Sequence, residues 1–245
     1  MVIKSAFTSI AYYIYIVFSF FKNKIQNIIE MGIQFAPSVT QSEIIYFDFE
    51  TTGLNPYHEK IIDYAFLVEE EESGDTYIEG LVNPEKKFEK KITDITGIHP
   101  EQLEDKPVIR QELDKIYNFI NHNYKRIFHK HIPKRFLVAH NCDGFDKIFL
   151  MTNFTDKERY PLSRNWFFID TLPLAKKLLP NLASHSLKSL AIHYNVKPGT
   201  HRALSDTITL RKVFDNLISQ LSLKINTQKS KLINNPQKII DYYNF

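Results

Sequence analysis

Three short stretches of the chain bring carboxylates and a histidine together in patterns that suit metal-assisted chemistry. In the first, an apolar run over 44–49 (IIYFDF) carries Asp48, and Glu50 follows two positions later, with Thr51, Thr52 and Gly53 directly after it. Residues two apart on an extended strand face the same way, so both carboxylates share one side. Such a pair repels unless a proton or a cation intervenes, and an oxygen-preferring divalent ion such as Mg²⁺ or Mn²⁺ is the natural partner. The competing reading is a solvated strand edge. The apolar character of the rest of the run argues against it.

The second stretch, 137–146 (LVAHNCDGFD), reads as a strand, a turn and the start of a helix. Asp146 falls in the helix's first turn, where the dipole favours a carboxylate and a metal can be faced. Asp143 is the expected N-cap. In the third stretch, 199–206 (GTHRALSD), His201 precedes a long helix and Asp206 lies about one turn into it. A histidine beside carboxylates, titrating near neutrality, can act as a general base. The chain has only seven glycines, yet Gly53, Gly144 and Gly199 each fall within three residues of a candidate. They are expected to permit the tight turns that aim these side chains.

The elements that must position these residues alternate between strand and helix. The 44–49 run is apolar on both faces, as a central strand covered on both sides would be. Residues 61–69 and 76–82 flank an acidic turn and read as a hairpin. A stripe of Ile109, Leu113, Ile116, Ile120, Tyr124 and Ile127 predicts an amphipathic helix from 107 to about 128, with Pro107 in its first turn. Short apolar strands follow at 136–139 and 166–169, with helices over 145–153, 172–179, 186–194 and 203–223. The expectation is one α/β domain with a five-stranded mixed sheet flanked by helices.

At 245 residues, 43% hydrophobic and 24% charged, the chain has enough apolar mass for one such domain plus appendages. Disordered, collagen-like and multi-span membrane classes are excluded. The lone Cys142 excludes a disulfide framework or a cysteine zinc site, and it fits a reducing intracellular compartment. The net charge is +3 but unevenly spread. Lys4, Lys22 and Lys24 against Glu30 give residues 1–30 a net +2, and a basic tail over 224–245 carries +3, leaving 31–223 at −2. Electrostatics alone does not make the body a nucleic-acid binder. Residues 6–21 form an apolar run of 16, shorter than the ~20 needed to span a bilayer. It reads as a short membrane anchor or interfacial segment, as a core-packed element, or as an extension upstream of a start at Met31.

In this order the three stretches resemble the motifs of the DEDDh (DnaQ-like) 3′→5′ exonucleases, which share a ribonuclease H-like fold. FDFETTGLNP resembles the first motif, HNCDGFDKIFL the second and HRALSD the third, and the likeness covers roughly residues 43–223. Residues 92–107, 168–171 and 185–191 are similar to further segments of that family. Three residues separate Asn141 from the aromatic-Asp pair, as in animal three-prime repair exonucleases, whereas HRAL is closer to bacterial proofreading domains, so the subfamily stays open. The resemblance implies two Mg²⁺ or Mn²⁺ ions. Asp48 would bridge them, Glu50 and Asp206 would complete one site, and Asp146 would support the other through water, with His201 as base. Thr51, Thr52, Gly53, Leu54, Asn141 and Phe145 would contact the substrate, although an aromatic at a helix start also suits the core. The implied activity is release of nucleoside 5′-monophosphates from 3′ ends, with DNA favoured over RNA. An exoribonuclease and an inactive nucleic-acid-binding protein are the alternatives. A polymerase or a second copy of the chain as partner is not readable. Four carboxylates at one locus are expected to leave the metal-free site partly protonated or disordered.

Overall fold

The computed structural model describes residues 43–70, 74–121 and 134–244; the apolar run 6–21 lies outside them. In chain order the elements are β1 (Glu43–Thr51), β2 (Ile61–Glu70), β3 (Gly74–Leu81), α1 (Lys90–Thr96), α2 (Ile109–Ile120), β4 (Arg135–Ala139), α3 (Asp146–Asn153), β5 (Trp166–Asp170), α4 (Thr171–Leu178), α5 (Leu187–His193), α6 (Ala203–Lys224), α7 (Lys229–Ile233) and α8 (Gln237–Asn244). No helix among the described residues is long and apolar enough to cross a membrane.

The five strands form one mixed sheet in the order β3-β2-β1-β4-β5. β1 and β2 pair antiparallel, as do β2 and β3, whereas β1–β4 and β4–β5 are parallel. β1 is apolar on both faces because both are covered. On one side Ile45, Phe47 and Phe49 pack with Leu113, Ile116 and Ile120 of α2 and with Phe149 and Leu150 of α3. Phe47 stacks on Phe66 of β2 at 5.5 Å. On the other side Tyr46, Leu67 and Val138 meet α4, α5 and α6. Ala203, Thr207, Leu210, Phe214, Leu217 and Leu221 of α6 are buried at alternating four- and three-residue steps, the period that keeps one helix face on the sheet. α6 is thereby fixed across the sheet with its N-terminus near the end of β1.

Three details depart from the sequence expectation. α1 was not anticipated, since Thr96 is its one buried residue and it carries no apolar stripe. α2 starts at Ile109, which leaves Pro107 outside the first turn. The Pro107 carbonyl instead accepts the Asn83 N–H at 2.9 Å, and an Asn83–Val108 bridge keeps this stretch extended. Residues 229–244 fold as α7 and α8, with Leu232 and Ile239 buried in the α6-side core. The Tyr243 hydroxyl accepts the Asp170 N–H at 3.2 Å.

Candidate active site

Asp48 and Glu50 project from β1 on its α6 side, opposite in direction to Phe47 and Phe49. The register sets Asp48 against Ala65 and Glu50 directly against Asp63 of β2. Ligand atoms of Glu50, His201 and Asp206 all lie within 4.8 Å of one another. Asp48 and Asp146 stand outside that trio, but each is coupled electrostatically to members of it. Asp146 is 2% exposed, and its Oδ1 accepts the Phe49 N–H at 3.2 Å, which ties the start of α3 to β1.

The turn before Asp146 is organised from β5. Buried Asp170 accepts the N–H of Asn141 (2.9 Å) and of Leu172 (2.9 Å) through Oδ1, and the N–H of Asp143 (3.1 Å) through Oδ2. It caps α4 while holding Asn141 in the left-handed region at φ 63°. Asp143 does not cap α3, because a 3-10 turn over Cys142–Gly144 and Phe145 intervene. Its carboxylate pairs with Lys147 at 2.8 Å.

The turn before Asp206 is built differently. His201 is exposed and has φ 56°. The Asp206 carboxylate takes backbone hydrogen bonds from His201 and Arg202. A Cβ on Gly199 would stand 1.5 Å from Asp206 Oδ1, so only glycine leaves room for that carboxylate. The positive φ values fall on Asn141 and His201, not on the neighbouring glycines. Gly199 therefore serves by its lack of a side chain. Asp63, 2% exposed, closes the turn: its Oδ2 accepts Arg202 Nε at 2.9 Å and the Ala203 N–H at 3.3 Å.

Burial and mutual repulsion raise the carboxylates together. Asp48 and Asp146 are pushed well above the usual range, first by burial. Glu50 is lifted to about 8 by burial and then by the charges of Asp206 and Asp63. Burial also raises Asp206, against the pull of His201 and the two backbone donors. Glu50 holds a proton at neutral pH that a bound cation would displace. Its oxygens are the donors that hard divalent ions prefer, so the residues fit Mg²⁺ or Mn²⁺.

The expected substrate contacts have mixed settings. Thr51 and Thr52 are buried. The Thr51 hydroxyl donates to Gly53 O at 2.7 Å, and Thr52 Oγ1 donates to Glu59 while accepting the Lys60 N–H. Gly53 faces the Glu59 side chain, and Glu59 is anchored by Lys86 at 2.8 Å. Leu54 is 84% exposed at the tip of this braced loop. Asn141 is exposed, and Phe145 is half-buried with its ring edge-on to Phe149 at 4.9 Å.

A family model described as Exonuclease matches residues 45–214, a span that contains all five candidate residues. The chain belongs to this exonuclease family. Among the exonuclease's relatives, Exonuclease DPD1, chloroplastic/mitochondrial, of Arabidopsis thaliana is 32% identical over 199 residues, covering 75% of this chain and 58% of that protein. DNA polymerase III PolC-type of Thermotoga petrophila is 31% identical over 213 residues, covering 86% of this chain and 14% of that one. The chain thus spans 58% or less of these two relatives' own lengths. A solved exonuclease I superposes with a TM-score of 0.59 at 18% identity, over 82% of this chain and 43% of that one. The zinc-bound complex of E. coli exonuclease I with single-stranded DNA gives 0.58 at 19%, over 82% and 42%. These likenesses establish the ribonuclease H-like fold.

Asp63 and Asp170 are the residues of this exonuclease that sequence reasoning did not single out. The signal was present for Asp63, a charge set within the apolar strand IIDYAFLV. Asp170 lay in a family-like segment with no role attached.

Proposed function

We propose that this exonuclease is a metal-dependent 3′→5′ enzyme that releases nucleoside 5′-monophosphates, with DNA as the favoured substrate. The observation that carries the reading is the convergence of Glu50, His201 and Asp206 within 4.8 Å beside the buried carboxylates of Asp48 and Asp146. Asp48, Glu50, Asp206 and, more remotely, Asp146 would hold two divalent ions. When bound, these ions supply positive charge for the scissile phosphate and for the departing 3′ oxygen. His201, exposed at the lip of the cluster, takes the proton of the attacking water. Leu54 offers an apolar contact for the terminal base. Asn141 and Phe145 flank the second turn, where the preceding nucleotide would pass.

The preference for DNA is supported by the chain's relatives, which include a DNA polymerase, and by its structural neighbours, which include a complex with single-stranded DNA. A panel of 3′-labelled single- and double-stranded DNA, RNA and short oligomers with Mg²⁺ or Mn²⁺ tests it. Asp48→Ala and Asp206→Ala each forfeit several kcal/mol of charge stabilisation, roughly a thousandfold in rate, with the fold kept. His201→Ala loses about 10²–10⁴-fold as a missing base. Wild-type rates in the aspartate variants would end the assignment.

A further inference from the structure

We propose that Asp63 is the positioning residue for His201, an inference that rests on the exonuclease reading of the site. His201 sits in the left-handed region, which a non-glycine residue keeps only when its surroundings over-determine it. The preceding side of the turn is set by Gly199 and by the Asp206 carboxylate on two backbone N–H groups. The following side is set by Asp63, whose single oxygen Oδ2 receives both Arg202 Nε and the Ala203 N–H. That oxygen comes from β2, which is hydrogen-bonded to neighbours on both sides, so the turn is referred to a rigid frame.

The choice of a carboxylate here is informative. Asp63 stands directly opposite Glu50, and like charges in that relation are destabilising. A neutral Ser or Asn would accept a helix N–H as well without adding a fifth charge to the cluster. What a neutral group could not do is hold the Arg202 guanidinium as firmly. Arg202 is bent back onto the sheet, and the peptide that joins it to His201 is thereby fixed. Asp63 accepts its hydrogen bonds from Arg202 and Ala203, the residues that follow His201, and positions the imidazole through them.

The test is a double-variant cycle on the full chain with 3′-labelled single-stranded DNA, after His201→Ala has been measured alone. Asp63→Asn is expected to lower kcat roughly 10- to 100-fold, as a misplacement of about 1 Å does, with KM unchanged. In a His201→Ala background the same change should cost less than about twofold, because the residue being aimed is gone. Arg202→Gln, which keeps Asp63 and its bond to Ala203, should give a smaller loss with the same pattern, and it decides the matter should Asp63→Asn fail to fold. Equal losses with and without His201, or no loss in a folded Asp63→Asn, would each overturn the proposal. If His201→Ala or Asp48→Ala keeps wild-type activity, the exonuclease reading of the site fails instead.

Discussion

The two turns that deliver Asp146 and Asp206 solve one problem by opposite means. The first is held from β5 by the buried carboxylate of Asp170, which gathers backbone N–H groups and never leaves the interior. The second is held from β2 by Asp63 through a guanidinium whose side chain is 44% exposed, and it leans on the space left by Gly199. The first is a main-chain clamp shielded from water. The second is an ion pair at the surface of the cluster, carrying the exposed His201. The difference places Asp146 on a turn closed to water and His201 on one open to it.

Substitution of glycine should separate the turns most sharply. Gly199→Ala drives a methyl into Asp206 Oδ1 and is expected to abolish at least about 99% of nuclease activity, close to the loss of a charge-stabilising contact. Gly144→Ala meets Asn141 Oδ1 at 3.4 Å, an ordinary contact, and should stay within about threefold of wild type in the same assay. Comparable losses in the two variants would erase the contrast.

The main-chain clamp should register in stability. Asp170→Ala strands three part-buried N–H donors, so a loss of about 2–3 kcal/mol in urea unfolding is expected. Lys147→Ala removes the exposed pair with Asp143 on the same turn and should change stability by less than about 1 kcal/mol. A reversal of that order would mean that surface charge holds the first turn.

The smallest effect concerns pH. Glu50 keeps its proton in the folded, metal-free chain up to about pH 8, whereas the unfolded chain releases it near the ordinary carboxylate value. The folded state then binds more protons, and stability contributed here falls as pH rises from about 4.5 towards 8. Melting temperature in chelator should drift down across that window, and the stabilisation by added Mg²⁺ should grow. A Mg²⁺ effect independent of pH would contradict a proton-holding Glu50.

Much of this arrangement was legible in the sequence. Four strands announced themselves through apolar runs and β3 through the acidic turn before it, and the acidic pair on β1 through its intrusion into one of those runs. Asp146, His201 and Asp206 could be named because their residue types sit beside helix starts. What sequence could not supply were relations between distant segments: Glu50 against Asp63, Asp170 beneath the Asn141 turn, and left-handed backbone at a histidine instead of its neighbouring glycine. α1 escaped for a local reason, being short and almost wholly exposed. The cap at Asp143 failed because a 3-10 turn was inserted where a direct helix start was the simplest reading.

One consequence follows from the 139 positions between Asp63 and Arg202. During synthesis β2 leaves the ribosome first, and at typical elongation rates the partner of its aspartate emerges roughly 7–30 s later. Through that interval β1 and β2 already carry an acidic pair and its buried neighbour, but the histidine and the last carboxylate do not yet exist. The Asp63–Arg202 bond therefore cannot form until most of the chain has been made, and the turn that carries His201 is among the last parts of the fold to be set.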